Sequence, residues 1–145
     1  MPTVDDVIRT KGEKVHSVPP TATVKEAIRK MNQHKIGALL VMQDGQVVGI
    51  FTERDVLRRV VELEQPLTSV TVGGVMTSDV ICVRPETDLD EVSQIMKTKR
   101  IRHLPVCDEE GRLQGMVSIG DVNAYHASNQ EAQIHFLHEY IYGRA

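Results

Sequence analysis

The feature that most constrains this chain is that it repeats itself. Shifted by 65 positions, Pro20 falls on Pro85, Glu26 on Glu91, Met31 on Met96, Ile36 on Ile101, Leu39 on Leu104 and Val41 on Val106. One additional residue then enters within the polar turn Asp108-Glu109-Glu110. Beyond it the shift is 66, with Gly45 on Gly111, Gly49 on Gly115, Asp55 on Asp121 and Val56 on Val122. A length change confined to a turn is what a structural repeat tolerates.

Each copy reads alike. A β-rich segment opens it, Val15 to Val18 in the first and Val80 to Val83 in the second. Pro20 or Pro85 ends that strand, and Thr23 or Asp88 stands as an N-cap before an amphipathic helix. Its apolar positions are Val24, Ala27, Ile28 and Met31, or Leu89, Val92, Ile95 and Met96. Two apolar runs follow as a hairpin: Ala38 to Met42 and Val47 to Phe51 around Gln43-Asp44-Gly45-Gln46, then Leu104 to Cys107 and Leu113 to Val117 around Asp108 to Gly111. A second helix runs from Thr52 to about Leu63, and from Ser118 to about His126. The unit is βαββα and the fold class α+β.

A unit of roughly 50 residues buries little core alone. The two are therefore expected to pack sheet against sheet. The organisation read from the chain is a lead-in with a short helix (1–14, helical over Thr3 to Lys11), repeat one (15–64), a linker (65–76), repeat two (77–127) and a C-terminal helix (128–145).

With 3% aromatic residues and no Trp, the core must be aliphatic. A net charge of −3 disfavours a nucleic-acid or anionic-membrane partner. No run approaches the roughly 18 apolar residues of a membrane span, and the N-terminus lacks the pattern of a secretion signal. A cytoplasmic protein is expected. Cys82 and Cys107 lie in apolar runs and read as buried, reduced thiols rather than as a disulfide or metal site.

Two segments carry chemistry. Gly49 to Asp55 and Gly115 to Asp121 both fit Gly-x-x-(Thr/Ser)-x-x-Asp at a strand-to-helix junction. The pattern reads two ways. Thr52 or Ser118 with an Asp three residues on resembles a capping box, which stabilises any helix start by about 1 kcal/mol. Alternatively, the helix N-terminus and hydroxyl hold a phosphate, while the Asp, which would repel phosphate, accepts both hydroxyls of a ribose. Ile81 and His16 on the entering strands are candidates to wall an adenine. Before the Leu-Pro-Val strand the copies diverge: Lys99-Arg100-Ile101-Arg102-His103 against His34-Lys35-Ile36-Gly37-Ala38.

The paired motifs, the Arg102-His103-Leu104-Pro105-Val106 segment and the βαββα repeat resemble the CBS-domain family over about Val15 to Ala127, and more narrowly its small bacterial CBS-pair proteins. That resemblance implies a Bateman module with a pseudo-twofold axis and two clefts. These would take a regulatory ligand, AMP or else ADP, ATP, NAD or S-adenosylmethionine, and report adenylate status to a partner protein. It also implies that each cleft joins one repeat's motif to the other repeat's entering strand. The first would hold Ile50, Thr52, Arg54 and Asp55 with Ile81, Arg102 and His103; Asp55 meets the ribose, Thr52 and the cations the phosphate, Ile50 and Ile81 the adenine. This cleft is the favoured site. The second would hold Met116, Ser118 and Asp121 with His16, Gly37 and Ala38, without the arginine because Ile119-Gly120 replaces Glu53-Arg54.

His135 and His138 could face one metal, but no third ligand stands at a suitable spacing, and no metal site is expected. Ile134, Leu137 and Ile141 instead form an apolar stripe on a helix expected to support a homodimer, through it or through the repeats themselves. With no Walker loop, catalytic triad order or His-Glu-x-x-His, neither catalytic residues nor a catalytic cofactor is expected. The competing reading is a ligand-free dimerisation or protein-interaction module.

Overall fold

The computed structural model describes residues 2–12 and 15–128, so the readings placed on His135, His138 and the C-terminal helix lie outside the described residues. Within them the chain folds as two α+β halves. In the first, β1 (Ser17–Val18) runs parallel to β2 (Ala38–Gln43), which pairs antiparallel with β3 (Gln46–Thr52). In the second, β4 (His103–Cys107) pairs antiparallel with β5 (Leu113–Ser118). Both hairpins shift register at matched positions, Val41/Met42 and Val106/Cys107.

Local chemistry sets the boundaries. The Thr23 side chain accepts from the Glu26 N–H at the start of helix Val24–His34, and Asp88 accepts from the Asp90 N–H before helix Leu89–Lys99. Both helices stop at a left-handed residue, Lys35 (φ 55°) and Arg100 (φ 56°). Asp44 (φ 53°) and Gly45 (φ 76°) give the β2–β3 turn two successive positive φ values, the pattern that matches strand twist in a tight hairpin. After Thr52 the chain is α-helical over Glu53–Asp55, a π-turn over Val56–Val60, and α-helical again over Val61–Leu63. After Ser118 it is helical over 119–128.

The expected entering strand Val80 to Val83 is reduced to one parallel bridge, Val83 to Val106. The cause is Pro105. It stands where Leu40 donates its N–H to the His16 carbonyl in the first repeat, and proline has no N–H to offer Ile81, so only the bonds of Val83 with Pro105 and Cys107 remain. Cys82 is exposed, contrary to the expectation that both thiols are buried; Cys107 is buried.

The lead-ins are exchanged. Helix Val4–Lys11 packs on the second repeat, with Val4 and Asp5 N–H groups donating to Thr87 and Pro85 carbonyls and Leu89 N–H to Pro2. Helix Val72–Val75 packs on the first, with Val24 N–H donating to Val70, and Val72 and Gly73 N–H groups to Ala22 and Pro20. Each core therefore includes residues from the other half's lead-in: Val70, Val72 and Val75 join Val24, Met31, Leu39 and Phe51, while Val4 and Val7 join Leu89, Met96, Leu104 and Val117. In β2 the alternate residues Leu39 and Val41 face the helical core, whereas Ala38 and Leu40 join Ile50, Leu113 and Met116 between the sheets. Burial on both faces explains the uninterrupted apolar run.

Candidate functional site

The two motifs build nearly the same local structure. Thr52 N–H donates to Asp55 Oδ2 at 2.9 Å and Ser118 N–H to Asp121 Oδ2 at 2.9 Å; Asp55 and Asp121 N–H groups return the bond to Thr52 Oγ1 and Ser118 Oγ. Glu53 N–H donates to Gly37 O at 3.1 Å and Ile119 N–H to Arg102 O at 2.8 Å. In each helix two of the first three amide donors are thus taken internally, and the reciprocal cap is fully formed.

The carboxylates differ in what else they meet. Asp55 is only 5% exposed; its Oδ1 accepts from Thr77 Oγ1 at 3.1 Å and lies 3.9 Å from Arg59 Nε. Asp121 Oδ2 instead pairs with Lys11 Nζ at 2.9 Å, and that ammonium also donates to the Met116 carbonyl at 3.3 Å. The segment entering each repeat delivers the polar group that meets the other repeat's aspartate, a hydroxyl in one case and a cation in the other. Glycine makes the close approach possible: a Cβ on Gly49 would collide with Met76 Sδ, and one on Gly115 would stand 3.1 Å from Ile8 Cδ1.

Next to Lys11 a cleft of about 300 Å³ opens, bounded by His16, Ala38 and Met116 from the second predicted set and by Lys11, His34 and Ile36, which sequence reasoning did not assign to a site. The His16 and His34 rings stack in its wall, centroids 3.9 Å apart and planes 23° apart. Asp121 reaches it through Lys11. Ser118 is engaged as the cap, and Gly37 abuts the Glu53 carboxylate, 3.3 Å from where a Cβ would stand.

The members of the first predicted set meet separate surroundings. Ile50 is buried between the sheets, Thr52 caps, and Arg54 is exposed with Nη1 donating to the Arg100 carbonyl at 3.0 Å. Ile81 packs on the second core and Arg102 is exposed. His103 stands opposite Ser118 across β4 and β5, among Lys11, Asp121, Glu53 and Arg102.

Burial, seconded by the Lys11 ammonium, holds the His103 imidazole below its usual value against the pull of Asp121 and Glu53. At Asp121 burial acts upward, but the Lys11 hydrogen bond and the Ser118 N–H outweigh it and hold the carboxyl below the usual carboxylate range. Both shifts make the fold acid-sensitive. An imidazole that resists protonation when folded loses stability as pH falls below the ordinary value of 6.5; a carboxylate with a lowered pKa loses it as pH falls below the ordinary 3.8. Melting temperature measured from pH 8 to pH 3 is expected to fall in both windows. His103→Gln should flatten the upper decline and Asp121→Asn the lower.

Among the described residues no three His, Cys, Asp or Glu side chains converge as a metal set, and no helix is long and apolar enough to cross a membrane. The CBS domain family matches residues 4–62 and again 72–127. The Arabidopsis thaliana protein CBSX3, mitochondrial, is 37% identical over 150 aligned positions, covering 97% of this chain and 72% of that protein. The crystal structure of the CBS-domain containing protein ATU1752 from Agrobacterium tumefaciens superposes with a TM-score of 0.81 at 38% identity, covering 86% of this chain and 99% of the other. The structure of CBSX2 in complex with AMP does so with a TM-score of 0.73 at 27% identity, over 88% and 98%. With two α+β halves, a matched motif at the same strand-to-helix junction in each, and both halves matched by the family, the chain belongs to the CBS-domain family as a tandem pair.

Proposed function

We propose that this CBS pair is a non-enzymatic regulatory module that binds an adenosine ligand beside Lys11 and signals its occupancy to a partner protein in the cytoplasm. The observation that carries this reading is the cleft itself. It places the Lys11 ammonium and a stacked pair of imidazoles around about 300 Å³, at the small end of the range for ligand pockets, with the Asp121 carboxylate paired to Lys11. Asp121 accepts the ribose hydroxyls, Lys11 turns to the phosphate, and His16, Ala38 and Met116 enclose the adenine. AMP is the favoured ligand, with ADP, ATP, NAD and S-adenosylmethionine as alternatives. The AMP complex of CBSX2 supports the ligand class. The group Ile50, Thr52, Arg54, Asp55, Ile81, Arg102 and His103 is a second candidate, in which a ribose would have to replace Thr77 on Asp55. Leu57 and Val61, 71% and 58% exposed on the helix after Thr52, support a homodimer through that face.

The test is a thermal-shift panel of AMP, ADP, ATP, NAD, NADH and S-adenosylmethionine. A ligand at one hundred times its Kd is expected to stabilise the protein by about 2.7 kcal/mol, roughly 8 °C in Tm. A second reading has its own observation, the reciprocal side-chain hydrogen bonds that both caps already make internally, and makes the module ligand-free. Under it every member of the panel leaves Tm unchanged.

A further inference from the structure

Cys82 and Cys107 stand 25 positions apart in the chain, yet Cys107 Sγ donates to Cys82 Sγ at 3.3 Å. The backbone pins them there. Val83, adjacent to Cys82, donates its N–H to Pro105 O and accepts the Cys107 N–H on its own carbonyl, both at 2.9 Å. A covalent bond of about 2.05 Å requires the sulfurs to close by only about 1.2 Å, and the register shift at Val106/Cys107 lies beside the moving atom.

We infer that Cys82 and Cys107 form a reversible dithiol–disulfide couple, a modification site on the second repeat that is oxidised by a low-molecular-weight disulfide of the glutathione class. The two thiols have separate parts. Cys82 is exposed and meets the oxidant; Cys107 is buried, and burial, together with the hydrogen bond to Cys82, pushes its pKa up to about 12, so it stays protonated near neutral pH. The Cys82 thiolate attacks one sulfur of glutathione disulfide. That S–S bond breaks, one glutathione thiolate leaves and a mixed disulfide remains on Cys82. Cys107 then gives its proton to solvent and attacks Cys82 Sγ, and the second glutathione thiolate leaves. Two electrons pass from the protein thiols to the oxidant, and one glutathione disulfide becomes two glutathiones. The product ties the segment carrying Ile81 to β4.

The test incubates the full chain with mixtures of oxidised and reduced glutathione, quenches with an alkylating agent, and measures intact mass and non-reduced peptides. The expected species is a chain lighter by about 2 Da with neither thiol alkylated, containing a Cys82–Cys107 cross-linked peptide and restored by dithiothreitol. Cys107→Ser, its fold checked by circular dichroism, should stop at the glutathione adduct on Cys82. Cys82→Ser should leave Cys107 unmodified. A wild-type chain that stops at the Cys82 adduct, that links to a second chain through Cys82, or that does not react overturns the inference.

Discussion

Replacing Asp55 with alanine is expected to lower stability by about 3 kcal/mol, roughly 10 °C in Tm. The residue is 5% exposed, and its carboxylate accepts from Thr52 N–H, Thr52 Oγ1 and Thr77 Oγ1 at 2.9, 3.2 and 3.1 Å. Truncation removes the helix cap, worth about 1 kcal/mol, and orphans donors with little access to water, each costing about 1–3 kcal/mol. Urea unfolding measures the loss. The folded variant should still respond to an adenosine ligand, because the Lys11 cleft is untouched. A ligand response that vanishes in Asp55→Ala and survives in Asp121→Ala would instead put the ligand in the first group.

Asp121→Ala is expected to do the reverse. Its side chain is 21% exposed and that of its Lys11 partner 24%, against 6% for Asp55, so the stability cost is smaller, about 1 kcal/mol. The AMP affinity, however, should fall about 100-fold, the loss of one strong or two ordinary hydrogen bonds to a charged acceptor. Calorimetric titration of wild type and variant reads this directly. Lys11→Met separates the two ends of the ligand: it should weaken AMP about tenfold while leaving adenosine, which lacks the phosphate, nearly unchanged.

The repeat was legible as self-similarity, and both hairpins and the caps at Thr23, Asp88, Thr52 and Ser118 because each rests on neighbours within a few residues. The same locality hid Lys11. A lysine ending an amphipathic helix reads as a solvated cation, and its carboxylate partner lies 110 positions away. His34 was hidden likewise, as the last residue of a helix whose ring meets His16 only when β1 lies alongside. Cys82 misled in the opposite direction. Its Val-Ile-Cys-Val setting has the composition of a buried strand, but the neighbour it would pair with carries Pro105, which has no N–H to donate, and no property of residues 80–83 announces that.

The exchange of lead-ins has a consequence for cooperativity. Cutting the chain after Leu63 would strip the first half of Val70, Val72 and Val75, and the second half of Val4 and Val7, all of them core residues. Neither fragment keeps the contacts that close its own interior, so the pair should melt in one transition although its sequence is written twice. Whatever stabilises the second half stabilises the first by the same free energy, and a ligand at the proposed site beside Lys11 would be felt across the whole molecule without any chain of contacts having to carry it.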